Sequence, residues 1–162
     1  MPDKQIEDYI NEILTSDAKE NALSFVSHLR ASDMQINRFT YHGEDTLHWE
    51  IKFQDQLVCY ILLDAENPGW TILPDSSSTE RFADYQADDE IKEIAWQNAN
   101  VCHDGNRCGS CANGRGTRIR IFGKEIDDVC GMAYCFTNPD ANALKLVRTM
   151  MDVRKSDILG KR

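Results

Sequence analysis

The sequence has little of what marks a membrane protein, an exported protein or a nucleic-acid-binding protein. It contains no run of about 18 apolar residues, so we predict no membrane-spanning helix. No apolar segment follows the N-terminus as in a secretory signal peptide, and we therefore expect a cytoplasmic protein. Basic residues are scarce, since 18 Lys and Arg stand against 27 Asp and Glu. The formal net charge of −9 makes nucleic acid an unlikely partner.

The common catalytic and phosphate-binding motifs are also missing. There is no G-x-S-x-G motif, no P-loop and no G-x-G-x-x-G motif. The glycine-rich stretch Gly114-Arg115-Gly116 lacks both a lysine and the strand–helix context of a phosphate loop. We therefore predict no catalytic residues, and these absences favour a binding or sensing domain over an enzyme.

What is present indicates a single α+β domain of 162 residues. Apolar residues recur at helical spacing over 6–14, whereas apolar and polar residues alternate over 47–53 as in a half-buried strand. The connections between strands are too short for parallel crossovers, so we predict an antiparallel sheet with helices packed on it. Asn138 and Pro139 are predicted as the N-cap and first residue of the last helix. The predicted segments are N-terminal helices in 1–33, antiparallel strands in 34–75, a helix at 88–100, a cysteine-rich loop at 101–117, strands in 118–137 and a C-terminal helix at 139–156.

The cysteine pattern is the strongest chemical signal in the chain. Cys102, Cys108, Cys111 and Cys130 follow the spacing C-x5-C-x2-C-x18-C. Two thiolates separated by two residues can chelate one ion, and two further thiolates complete a tetrahedral zinc site. In a reducing compartment, clustered cysteines favour metal binding over disulfides. We predict a structural zinc ion held by these four cysteines in a metal-binding loop, whereas Cys59 lies in an apolar run and is predicted as a core residue.

Several alternatives to this zinc site remain open at the level of the sequence. His103 or Cys135 could replace one of the four ligands. Four thiolates could also hold an iron–sulfur cluster, or the thiols could carry no metal. Cys108 and Cys111 could instead act as a redox dithiol, or at an open metal site, which predicts a thiol-dependent redox or metal-dependent enzyme.

Charge and aromatic residues suggest two kinds of partner. The stretch 75–93 is acidic and the loop 101–120 is basic, which is compatible with a protein-interaction module. A curved sheet with flanking helices suits a pocket for a small-molecule ligand, with zinc ordering the basic loop at the pocket rim. The aromatic residues that could line such a pocket, or else fill the core, are Trp49, Trp70, Trp96, Tyr41 and Tyr60.

From about Tyr60 onward, the chain resembles a family of small, uncharacterised cytoplasmic proteins of anaerobic Gram-positive bacteria. The most specific matching segments are Ile121-Phe122-Gly123-Lys124-Glu125 and Val129-Cys130, together with the Cys108-x-x-Cys111 loop. Further matches are Cys59-Tyr60-Ile61, Pro68-Gly69-Trp70, Glu93-Ile94-Ala95-Trp96, Asn138-Pro139-Asp140 and Val153-Arg154-Lys155. The resemblance covers roughly 100 residues and implies a compact unit with a cysteine-bearing loop, but no reaction.

Overall fold

The computed structural model describes residues 4–40, 46–102 and 116–160. The fold is α+β, with helices and antiparallel sheets, as predicted. The helices are α1 (Ile6–Ile13), α2 (Ser16–Ala31), α3 (Asp89–Gln97) and α4 (Ala141–Gly160), with a 3₁₀ helix at Ser76–Phe82. The strands are β1 (Gln35–Phe39), β2 (Leu47–Phe53), β3 (Gln56–Asp64), β4 (Gly69–Pro74), β5 (Ala99–Val101), β6 (Thr117–Ile121), β7 (Lys124–Tyr134) and β8 (Phe136–Thr137). Among the helices of these described ranges, none is long and apolar enough to cross a membrane.

The chain divides into two compact units. Unit 1 comprises Met1–Leu73 and Phe136–Arg162, and unit 2 comprises Pro74–Cys135. Each unit has its own sheet, a division that the periodicity of the sequence does not predict. The single domain expected from the chain length stays a prediction.

Unit 1 consists of a five-stranded sheet in the order β1-β2-β3-β4-β8 with three helices. Helices α1 and α4 contact β3, and α2 contacts both of these helices. The alternation in β2 arises because Trp49, Ile51 and Phe53 are buried, while Glu50 and Lys52 between them are half-buried. The largest fully buried side chains of this unit include Trp70, Phe25, Phe136, Ile6, Ile10, Leu14, Leu29, Ile51, Ile61, Leu63 and Ile72.

The start of α4 differs from the sequence-based prediction. Asp140, not Asn138, caps the helix, since its Oδ1 accepts a hydrogen bond from Ala143 N at 2.8 Å. Asn138 has a φ of +47° and bonds instead to Trp70 in β4. Its Oδ1 accepts from Trp70 N at 2.9 Å, and its own N–H donates to Trp70 O at 2.8 Å. Asn138 therefore ties the last strand to β4, a long-range contact that local capping rules cannot anticipate.

Unit 2 consists of a three-stranded sheet in the order β5-β7-β6 with the 3₁₀ helix and α3. An aromatic cluster joins the 3₁₀ helix to the β6–β7 turn, with Phe82 and Phe122 stacked at 5.8 Å between ring centroids and Tyr85 at 5.7 Å from Phe122. Trp96 of α3 donates from Nε1 to Ile121 O at 2.8 Å. These contacts give unit 2 a small core of its own.

Candidate metal and ligand site

The described residues on the two sides of 103–115 lie at the same level of β7. Val101 of β5 and Thr117 of β6 both lie opposite Val129, on its two sides. Cys102 continues β5, because its N–H donates to Asp128 O at 2.7 Å. The two ends of the segment are thus fixed to one point of β7.

Cys130 follows Val129 directly, so it lies next to both of these ends. Cys102 and Cys130 are both half-buried, and no disulfide links any two of the described cysteines. The structure therefore brings two of the four predicted ligands to adjacent strands.

The β7 strand is irregular on the approach to Cys130. Its pairing with β6 shifts register between Thr117 and Ile119, and Asp128 has a φ of +59°. Asp tolerates this left-handed conformation better than most residues. An extra residue in a strand bends it and re-aims nearby side chains, and such bulges are frequent beside functional sites.

The remaining predicted ligands fall into two groups. Cys108, Cys111 and the alternative ligand His103 lie outside the described residues. Cys135 lies beyond the far end of β7, where its N–H donates to Asn98 O at 3.0 Å. That bond is at the opposite end of β5 from Cys102, which favours Cys130 over Cys135 as a ligand. Within the described ranges, no group of three His, Cys, Asp or Glu side chains is arranged to hold a metal ion.

Cys130 also lines a cavity of about 400 Å³ that lies within unit 2. Its walls come from the 3₁₀ helix and the residue after it, from β6 and from β7; they are Ser76, Thr79, Glu80, Ala83, Thr117, Ile119, Arg120, Cys130, Gly131 and Ala133. The Ser76 hydroxyl donates to Gly131 O and accepts from Ala133 N, which fixes the 3₁₀ helix to β7. The volume is typical of a small-molecule site.

Among the described residues, two charged side chains line this cavity, Glu80 and Arg120. Arg120 pairs with Asp84 at 2.7 Å and with Glu125 at 3.5 Å, and the hydrogen bond to Asp84 is the main cause that raises its pKa. Arg118 pairs with Asp127 at 3.4 Å in the same way. Arg118 and Arg120 of the predicted basic loop are therefore paired with carboxylates, which, together with Glu80 in the lining, disfavours an anionic ligand in this cavity.

None of the described aromatic residues predicted for a pocket lines this cavity of unit 2, whereas Trp49 and Trp70 line cavities within unit 1. Trp49 and Trp70 are buried in unit 1, Tyr60 packs against Phe39, and Trp96 bonds to β6. Tyr41 lies outside the described residues.

Sequence reasoning missed the small residues in the wall of this cavity, above all Ser76 and Gly131. Their only signal is the serine run before the acidic stretch and a glycine next to Cys130. Comparison of the chain with protein-family models, with curated proteins and with solved structures finds no match to any of them.

Proposed function

We propose that the chain is a zinc-stabilised domain that binds or senses a small molecule. Cys102, Cys108, Cys111 and Cys130 hold a structural zinc ion, and the adjacent cavity of unit 2 takes the ligand. The observation that carries this proposal is the meeting of both ends of the segment 103–115 beside Cys130.

Chain length supports the ligand set. Cys108 is six residues from Cys102, and Cys111 is six residues from Thr117. Six extended residues span at most about 20 Å, so neither thiolate can lie farther than about that distance from the chain position to which it is tethered, which is compatible with one shared ion. A four-thiolate zinc site closes without water and has a structural role.

The size of the unit 2 core also supports a metal. Among the described residues, unit 2 contains seven buried hydrophobic side chains, whereas unit 1 contains 25. A unit of about 60 residues with so small a core commonly needs a staple, such as a disulfide or a structural metal. Because a metal that binds only the folded state adds its binding free energy to folding, zinc would supply the missing stability.

The position of Cys130 connects the metal to the cavity. A zinc ion lies about 2.3 Å from a thiolate that binds it, so an ion on Cys130 would lie at the cavity wall. Occupancy of the cavity and of the metal site would then affect each other, which is what a sensing domain requires.

The alternatives from the sequence gain no observation of their own. A thiol-dependent redox or metal-dependent enzyme would use Cys108 and Cys111, which lie outside the described residues. A protein-interaction module would use the acidic stretch 75–93 or the basic loop 101–120, whose Arg118 and Arg120 are paired within unit 2.

The proposal is tested by Cys108→Ser and Cys130→Ser, each expected to release zinc and to lower the melting temperature by about 10 °C or more, since several kcal/mol of metal binding are lost. Zinc content by mass spectrometry and thermal unfolding by circular dichroism measure both effects.

Two further variants act as controls. Cys135→Ser should retain zinc, because Cys135 lies at the other end of β5. Cys59→Ser should destabilise the core of unit 1 but also retain zinc, because Cys59 is fully buried there. A Cys108→Ser protein with unchanged zinc content and melting temperature would overturn the proposal.

A further inference from the structure

A second cavity, of about 460 Å³, lies within unit 1 beside the start of α1. It is lined by Lys4, Gln5, Ile6, Tyr9, Ile36, Asn37, Arg38 and Trp49. This lining includes two cations and no acidic side chain, although the whole chain has a net charge of −9. Of these two cations, Lys4 pairs with Glu12, whereas Arg38 bonds to the hydroxyl of Tyr9.

Both cations lie against the ring of Tyr9. Lys4 Nζ is 4.4 Å from the ring centroid, and Arg38 Cζ is 4.8 Å from it. Arg38 Cζ is also 5.8 Å from the Trp49 ring, which meets Tyr9 edge-on at 5.4 Å. Cation–π contacts of this kind hold a guanidinium in place without neutralising its charge.

Arg38 differs from other arginines of the described ranges in its partners. Arg30 binds Glu7 at 2.5 Å, and Arg120 binds Asp84 at 2.7 Å. Within the part of the chain that the structure describes, no carboxylate pairs with Arg38; its Nη1 donates instead to Tyr9 Oη at 2.5 Å. A guanidinium has five N–H donors, so this bond leaves a donor pair for a planar anion.

Lys4 is positioned by a carboxylate outside the cavity lining. Its Nζ lies 2.6 Å from Glu12 Oε2, and this hydrogen bond is the main cause that raises the pKa of Lys4. Lys4 therefore stays charged at neutral pH. The pair holds the ammonium over Tyr9, where it faces the same cavity as Arg38.

We propose that this cavity binds a small organic acid, whose carboxylate pairs with the guanidinium of Arg38 and lies near the ammonium of Lys4. Arginine matches a carboxylate with two parallel hydrogen bonds, which lysine cannot do. Ile36, which is half-buried and lies two residues before Arg38 on β1, provides an apolar contact for the body of such an acid. This site does not depend on zinc, because all of its residues belong to unit 1.

The test is a titration of the full chain with benzoate. Calorimetry and the NMR signal of the Arg38 side-chain Nε–Hε group both monitor the binding. We expect saturable binding with a Kd of about 1 mM or below. Arg38→Gln and Arg38→Lys should each weaken it about 10-fold or more, since a charge-assisted bidentate contact is lost. Both variants should fold, because Arg38 is exposed.

Arg118→Gln is the matched control, an exposed arginine of unit 2 that should leave benzoate binding unchanged. Inorganic phosphate is titrated in parallel. Benzoate binding that does not saturate, or that persists unchanged in Arg38→Gln, would overturn the proposal. Saturation by phosphate but not by benzoate would also overturn it, because the site would then select an inorganic anion.

Discussion

At the scale of single residues, the return of the chain from the segment 103–115 depends on the absence of a side chain at Gly116. A Cβ built at Gly116 would lie 2.2 Å from Val129 O, a distance that real Cβ atoms essentially never show. The neighbour is backbone and cannot rotate away. Glycine therefore lets the chain approach β7 at the position where both ends of the segment meet.

Gly116→Ala should destabilise unit 2 by about 2 to 4 kcal/mol and weaken zinc binding, because the end of the segment must move away from β7. Denaturant unfolding and a competitive zinc titration measure the two effects. Gly131→Ala is the control, since nothing lies within 4 Å of its added Cβ, and its effect should stay within about 0.5 kcal/mol. Equal effects of the two substitutions would argue against this role of Gly116.

At the scale of the elements, the long helices and the half-buried strands could be predicted from the sequence. The strand alternation over 47–53 corresponds to β2, and the helix predicted at 88–100 corresponds to α3, because both periods are local. The last residues of that predicted helix instead form β5, since α3 ends at Gln97 and β5 begins at Ala99. The short elements could not be predicted: β5 has three residues and β8 has two, too few to show a period. The 3₁₀ helix at Ser76–Phe82 lies between the predicted segments, in a stretch for which no helix or strand is predicted.

The separation into two sheets depends on long-range pairing. Ile72 of β4 pairs with Phe136 of β8, although all of unit 2 lies between these two residues in the sequence. No local sequence pattern predicts that register. The candidate site likewise depends on contacts between residues that are far apart in the sequence. The spacing of Cys102, Cys108, Cys111 and Cys130 predicts a metal site, but the cavity beside Cys130 depends on the packing of the 3₁₀ helix against β7.

An ion pair between α1 and α2 makes the packing of these helices sensitive to acid. Arg30 Nε donates to Glu7 Oε1 at 2.5 Å, and this bond lowers the pKa of Glu7. A carboxyl whose pKa is lower in the folded state stabilises the fold above its unfolded pKa. This stabilisation is lost as the pH falls through the folded pKa. The pair is partly exposed, at 32% for Glu7 and 44% for Arg30, so solvent screening keeps its contribution below about 1 kcal/mol.

Glu7→Gln should therefore lower the melting temperature by a few degrees at pH 7, and this effect should shrink as the pH is lowered from 7 toward 3 and passes the folded pKa of Glu7. Thermal unfolding across this pH range provides the measurement. Glu12→Gln is the matched control, because it removes the carboxylate of the Lys4–Glu12 pair, which is more exposed than the carboxylate of Glu7. Its effect on the melting temperature at pH 7 should be smaller than that of Glu7→Gln. An effect of Glu7→Gln that is independent of pH would show that lost packing, not charge, is responsible.

At the scale of the whole molecule, apolar burial is distributed unequally between the two units. Unit 1 is built from both ends of the chain, which leaves it at Leu73 and returns at Phe136. It contains 25 of the buried hydrophobic residues in the described ranges, and unit 2 contains seven. We therefore expect unit 2 to depend on its metal for stability, whereas unit 1 should remain folded without it.

The most direct test of this account is a zinc and thiol count on protein purified anaerobically without chelator. We expect about one zinc ion per chain, with four of the six cysteines becoming reactive only when a chelator removes the metal. Removal of the metal by the same chelator should unfold unit 2 and leave the core of unit 1 intact. The unfolding of unit 2 should appear as a change in the environment of the Trp96 side chain. Protein without zinc, whose thiols react equally with and without chelator, would contradict the central claim.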